Sequence, residues 1–313
     1  MASRQKTFKT IDEQVTILEE KGLIIDDIEY AKDILLRENY FFLMGYRHLF
    51  IKSETDRTFI TNTNFRELYA VFNFDRQVRN IIFKNILIVE NNAKSIFSYQ
   101  LSKKYGIKEK HYLNPKNFNT DPTKKRQVND LIKKMQRQIR VNGGQHSATM
   151  HYMTNYGYIP LWIVVKVLSF GIISELYNIL KPEDQKAIAD IYNLSSEQLC
   201  QYFPIMSNYR NLCAHEDILY NHRSQRVVED NKYHYYLNIP KMNGEYIYGK
   251  DDLFALIIIL RQILRNEDFR LLVNEISYEL DILAGKLKTI NIDKVMDAMG
   301  FPQNYKEIVR MDI

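Results

Sequence analysis

Cysteine is almost missing from this 313-residue chain, with Cys200 and Cys213 the two that occur. Two thiols make no disulfide framework and have no metal-ligand spacing, so a reducing cytoplasm is the compartment expected. No pair among the seven histidines has the spacing of a zinc site, and no metal or other cofactor is expected. Glycine-rich phosphate cradles are missing as well. Asn142-Gly143-Gly144 reads as a loop, without P-loop spacing or a Gly-Lys-Ser/Thr ending. Long apolar runs are also lacking: the best candidate, Ile159 to Leu180, is interrupted by Lys166, Gly171 and Glu175. The opening stretch, Met1 to Thr10, is polar and basic, without the apolar stretch of a signal peptide. A soluble cytoplasmic protein with no membrane partner is the expectation.

Aromatic residues are abundant instead, with 22 Tyr and 16 Phe beside a single Trp. Such rings serve first as core, and in excess they supply stacking or interface surface. Charge is unevenly placed. Between Leu101 and Gln145 lie twelve basic residues: Lys103, Lys104, Lys108, Lys110, Lys116, Lys124, Lys125, Arg126, Lys133, Lys134, Arg137 and Arg140. Only Glu109, Asp121 and Asp130 oppose them, which leaves this segment at +9 and the rest of the chain at −4, against +5 overall. A concentration of this kind is the electrostatic footprint of a polyanion partner, and nucleic acid is the first candidate.

The apolar periodicity is helical nearly throughout. Thr10 and Glu13 form a capping box for a helix closed by Gly22, and Asp27 caps a second helix with Ile28, Ala31, Leu35 and Leu36 on its apolar side. The dense stretch from Asn39 to Tyr46 reads as core. Thr63 to Tyr105 is either one long helix or two with a break near Asn73. One helix is predicted between Thr123 and Arg140, another from Leu161 to Leu180, and a third from Pro182 to about Tyr192. Ser195 or Ser196 caps the next, which Pro204 should kink or divide. A strand is predicted over Val227 to Leu237, with Asn243-Gly244 as a hairpin turn. Helices follow from Asp251 or Asp252 to Leu264, from Phe269 to Leu283 and from Asp293 to Met299. The fold class is all-α with one small β-hairpin. Its units are an N-terminal helical unit (1–60), a main helical domain (61–290) with the basic insert 101–145, and a C-terminal helix and tail (291–313).

Within this frame one hexapeptide concentrates chemistry: Arg210-Asn211-Leu212-Cys213-Ala214-His215. On an ideal helix Asn211 and His215 share a face, while Arg210 is turned about 140° from His215. Imidazole exchanges protons near neutral pH, and a guanidinium fork matches phosphate oxygens. RNA carries its own nucleophile, the 2′-hydroxyl next to each phosphorus. The pair therefore fits a phosphodiester of RNA without a metal ion. Glu90 and Lys94 read as a structural ion pair at i,i+4, and Asp75-Arg76 as a buried pair or a support for the motif.

Arg210-Asn211-x-x-x-His215 resembles the Arg-x4-His motif of HEPN ribonucleases. Its surroundings resemble one branch, the Abi-like abortive-infection family of AbiD/AbiF type. The matching pieces are Asn39 to Tyr46, Leu68-Tyr69, Phe74-Asp75-Arg76-x-x-Arg79, Glu90 with Lys94, His151-Tyr152, Pro160-Leu161-Trp162, Ser169-Phe170-Gly171, Cys213-Ala214-His215 and Met299-Gly300-Phe301-Pro302. The resemblance implies a HEPN-type helical bundle and metal-independent endoribonuclease action in phage defence or as a toxin paired with a noncoding RNA. It also implies a homodimer in which the Arg and His of two chains meet. On this reading His215 is the acid or base, Arg210 stabilises the phosphate and Asn211 orients one of them. The basic segment, through Lys103, Lys104, Lys124, Lys125, Arg126, Lys133, Lys134, Arg137 and Arg140, holds RNA. A second reading is a non-cleaving protein of the same fold that holds a structured noncoding RNA through that segment.

Overall fold

The computed structural model describes residues 7–311, so the first six residues of the polar opening and the last two of the C-terminal tail lie outside it. Capping side chains set where helices begin. Thr10 and Glu13 cap α1 (Ile11–Glu20) reciprocally, and the Asp27 carboxylate accepts the Tyr30 amide at the start of α2 (Ile28–Glu38). Asn39, at φ 66°, reverses the chain and caps the short α3 (Tyr40–Met44). Next comes α4 (Phe65–Tyr105), a helix of 41 residues and about 60 Å with no break at Asn73. The buried Val71, Phe72 and Phe74 around Asn73 outweigh its weak helix propensity.

The basic segment forms α5 (Glu109–Tyr112) and α6 (Lys125–Asn142), followed by α7 (Ser147–Tyr156). The apolar stretch predicted as one helix is divided into α8 (Leu161–Val164), a 3₁₀ turn, and α9 (Phe170–Ile179). The Ser169 hydroxyl accepts the Ile172 amide and starts a new helix there, after a β-branched run that favours helix weakly. α10 (Pro182–Ala189) leads to α11 (Ser196–Ala214), which Ser195 caps with Gln198. Pro204 does not divide α11. Tyr202, Phe203, Ile205 and Met206 are buried on both sides of it, and that packing offsets the missing hydrogen bond.

The predicted strand over Val227 to Leu237 is replaced by the short α12 (Lys232–Tyr236). Asn231 caps it, and the buried His234 ring lies 3.2 Å from the Asn231 amide and 2.9 Å from the Gly249 carbonyl. These polar bonds, one local and one to Gly249, override the alternating pattern. The hairpin does form, as β1 (Lys241–Met242) and β2 (Glu245–Tyr246), with Asn243 and Gly244 at positive φ as a two-residue turn of this kind requires. Then come α13 (Leu253–Ile263), α14 (Asn266–Ala284) and α15 (Ile292–Met299). The fold is all-α, with this hairpin as its small sheet.

α4 is the spine, packing against α11, α14 and α8, and against α10 near its C-terminal end. Phe97, Phe170, Tyr177 and Phe203 form an aromatic cluster where α4, α9 and α11 meet. α13 is buried from Leu253 to Arg261. Two expectations about burial fail. Phe41 and Phe42, read as core, are 75% and 53% exposed, while Leu43, Met44 and Tyr46 turn inward. On α2, Ile28 and Leu36 face solvent and Ile34 is buried in their stead. Among the described residues no helix is long and apolar enough to cross a membrane.

Asp252, the cap of α13, accepts the Ala255 and Gly249 amides and is almost fully buried, which pushes its carboxyl up to about 7. The folded chain therefore holds a proton that the unfolded chain releases near pH 4. This contribution to stability is complete below that pH and is lost as pH rises to about 7, by roughly 1.4 kcal/mol per unit. Urea unfolding between pH 5 and 8 should show the midpoint falling in the parent and a weaker fall in Asp252→Asn. Equal slopes would contradict this role for the buried carboxyl.

Candidate active site

Three contacts fix α11 antiparallel along α4. Phe203 meets Phe97, Arg210 meets Glu90, and the turn after α11 meets Asp75. Within the middle contact, Arg210 Nε donates to Glu90 Oε2 at 3.3 Å and the guanidinium lies 5.6 Å from the centre of the Phe83 ring. Glu90 is buried, and its other oxygen accepts Lys94 Nζ at 2.7 Å. The predicted Glu90–Lys94 pair is present, and one buried carboxylate thus serves two cations. Arg210 is directed along α4 toward this pair.

His215 ends α11. Its amide donates to the Asn211 carbonyl, but its ring is exposed. Asn211 is exposed too. Among the described residues no hydrogen bond joins the His215 ring to Arg210 or to the Asn211 amide group. Within one chain, then, the three residues do not converge. The intervening Cys213 is buried, and burial pushes its thiol up to about 12, so it stays protonated and is no nucleophile at neutral pH.

The backbone that follows His215 is clasped by Asp75. This fully buried carboxylate accepts the Leu219 amide at 3.1 Å, the Tyr220 amide at 2.7 Å and the Tyr46 hydroxyl at 2.7 Å. Arg79 pairs with the same carboxylate and also donates to the Asp217 carbonyl at 3.3 Å. Burial pushes the Asp75 carboxyl up, and Arg79, Tyr46 and the two amides pull it back down. The partner of Asp75 is Arg79, one turn on, while Arg76 pairs with Glu38 of α2 at 2.9 Å. Asp75 does support the motif, through the chain that leaves it.

His215 stands on the wall of a cleft of about 840 Å³. One side of the cleft is the end of α11 and the turn beyond it, from Ala214 to Ile218. The other is α3 and the turn after it, with Phe41, Phe42, Arg47 and His48, and the floor includes Phe72, Arg76 and Arg79 of α4. His48 Nδ1 lies 3.2 Å from Glu54 Oε1. Arg47 and His48 were not among the sequence candidates. Their signal was position alone, directly after the motif that ends at Tyr46.

The basic segment divides into engaged and free cations. Lys104 binds Asp184 and Glu183, Lys134 binds Glu175, Lys124 donates to the Asn178 carbonyl, and Arg126 lies 3.6 Å from Asp130. No ion pair involves Lys103, Lys125, Lys133, Arg137 or Arg140 among the described residues, and all five are exposed. Lys133, Arg137 and Arg140 share one outer stripe of α6 at i, i+4 and i+7 spacing. The next helix, α7, carries His151, Tyr152 and Tyr156 in mutual ring contact, and Thr149 is its one buried residue. His151 and Tyr156 are exposed and Tyr152 is half-buried, an aromatic group that the sequence candidates did not include.

The sequence model of the family described as Abi-like protein matches residues 33–221. No curated protein and no solved structure matches the chain. The matched interval contains α3, all of α4, the basic segment and α11, and it ends just past the Tyr220 amide that Asp75 holds. Removing that carboxylate should strand the Arg79 guanidinium and three donors in the interior. Asp75→Ala is expected to cost about 3–5 kcal/mol in urea unfolding at pH 7, and an unchanged midpoint would refute the clasp.

Proposed function

The chain belongs to the Abi-like protein family, and on that premise we propose that it is a metal-independent endoribonuclease of the HEPN type, of the AbiD/AbiF branch. The family points to abortive infection as its setting, so the enzyme would act in bacterial phage defence or as a toxin restrained by a noncoding RNA. The observation that carries this reading is His215: an exposed imidazole on the wall of a cleft, on backbone clasped by a buried carboxylate. A general base or acid needs that combination of access and fixed position. His215 takes the proton of a ribose 2′-hydroxyl, whose oxygen attacks the adjacent phosphorus. The 5′-oxygen of the next nucleotide leaves and is protonated, giving 2′,3′-cyclic phosphate and 5′-hydroxyl ends.

Arg210 enters this chemistry through symmetry. It is turned away from its own His215 and held by Glu90, so in a homodimer the Arg210 of the partner subunit would stabilise the phosphate at this chain's His215, with Asn211 orienting the imidazole. The exposed stripe of α6 and the rings of α7 suit RNA, with cations for phosphates and aromatic faces for unpaired bases. The second reading, an RNA-binding protein that does not cleave, is favoured by the hold of the Glu90 carboxylate on Arg210.

RNA cleavage measured in EDTA separates the two. His215→Ala should lower the rate by about 10²- to 10⁴-fold while leaving the helical circular-dichroism spectrum intact. A composite dimer site adds that Arg210→Ala and His215→Ala, each inactive alone, regain part of the activity when mixed. Purified His215→Ala cleaving as fast as the parent would end the assignment, and RNA bound but left whole by the parent would favour the second reading.

A further inference from the structure

The cleft beside His215 contains a cation that the fold does not use. Arg47 lines it, yet among the described residues its side chain makes no hydrogen bond and no ion pair, and its Nε is buried without a partner. Every other arginine of the cleft is committed: Arg76 to Glu38, and Arg79 to Asp75, Tyr46 and the Asp217 carbonyl. The Arg47 Nε is shielded, whereas its two terminal nitrogens are unbonded and not fully buried, so they are the donors that an acceptor from outside can reach. Phe41 and Phe42 stand on the same wall, their rings 5.9 Å apart and mostly in solvent. Exposed phenylalanines beside an unpaired arginine are the two halves of a nucleotide site, one for the base and one for the phosphate. The carboxylates of the cleft lie apart from Arg47 in function. Glu38 is spent on Arg76, and Glu216 and Asp217 are exposed on the wall that carries His215. Among the cations of the cleft, Arg47 is thus the one left to take a phosphate.

We infer that this cleft binds a nucleotide of single-stranded RNA within one chain, Arg47 taking a phosphate next to the scissile one and Phe41 or Phe42 stacking its base. The inference rests on the assignment of His215 as the acid or base, and it adds the residues that present RNA to that imidazole. It also gives a role to the segment from Asn39 to His48. The inward half of that segment, Leu43, Met44 and Tyr46, anchors it to α4, and the outward half faces the cleft. Arg47 and the Phe pair are then substrate-positioning residues, distinct from the Arg210 that a partner subunit would bring.

A fluorescein-labelled trinucleotide methylated at every 2′-oxygen tests this, since it cannot be cleaved and is too short to bridge to the basic face of α6. Binding is read by fluorescence anisotropy over a series of salt concentrations. Arg47→Ala should weaken binding by about ten- to a hundredfold and reduce the salt slope by about one phosphate contact. Phe41→Ala combined with Phe42→Ala should cost at least about fivefold with the slope unchanged. Arg47→Lys should fall between parent and Arg47→Ala, because it keeps the charge and loses the fork. Thermal unfolding supplies the control: removing an unmet buried donor should leave the midpoint of Arg47→Ala equal to the parent's or above it. Equal trinucleotide affinity in Arg47→Ala and the parent, or no binding by the parent, would overturn the site even if His215 proved essential for cleavage. Conversely, full cleavage by His215→Ala would remove the catalytic assignment while the trinucleotide result stood on its own.

Discussion

A single buried carboxylate ties together three separate parts of the chain. Asp75 takes amides from Leu219 and Tyr220, a hydroxyl from Tyr46 and the charge of Arg79, so it joins α4, the turn after α3 and the exit from α11. Burying a charge is unfavourable unless each of its lone pairs finds a donor. Here the donors come from the turn after α3, from α4 and from the backbone just past the wall that carries His215. The clasp closes only when those parts stand where they do. The position of His215 thus follows from an interaction that His215 does not make.

Helix starts were legible in the sequence because capping is local. Thr10, Asp27, Ser195 and Asp252 each act within three residues, and each does so in the structure. The failures have two sources, a distant partner and a local cap hidden in an apolar run. Val227 to Leu237 alternates like a strand, but the His234 ring bonds to Gly249, fifteen positions on. Ser169 interrupts an apolar run whose hydrophobicity alone gives no boundary. For the candidate site the same division holds. That Arg210 and His215 diverge around one helix follows from 3.6 residues per turn. That Arg210 is taken up by Glu90, 120 positions away, does not.

Aromatic content proved the least readable signal. Phe41 and Phe42 look the same in composition as Phe50 and Phe65, which are buried. Hydrophobicity says that a ring favours leaving water, not that the fold offers it a place. A five-residue helix between two turns has too little surface to cover all its large side chains, so two of them stay in solvent. The rings of α7 arise the same way, on a helix with one buried residue.

The length of α4 has a metrical meaning. Asp75 and the cleft lie near its start, and Lys104, bound to Asp184 at the entry to the basic segment, lies near its end. Twenty-nine helical residues between them amount to about 40 Å along one continuous helix. A hinge would let those two surfaces approach each other, and an unbroken helix does not. Any single strand that touches both ends must therefore be long enough to cover that span, which makes α4 a ruler built into the molecule.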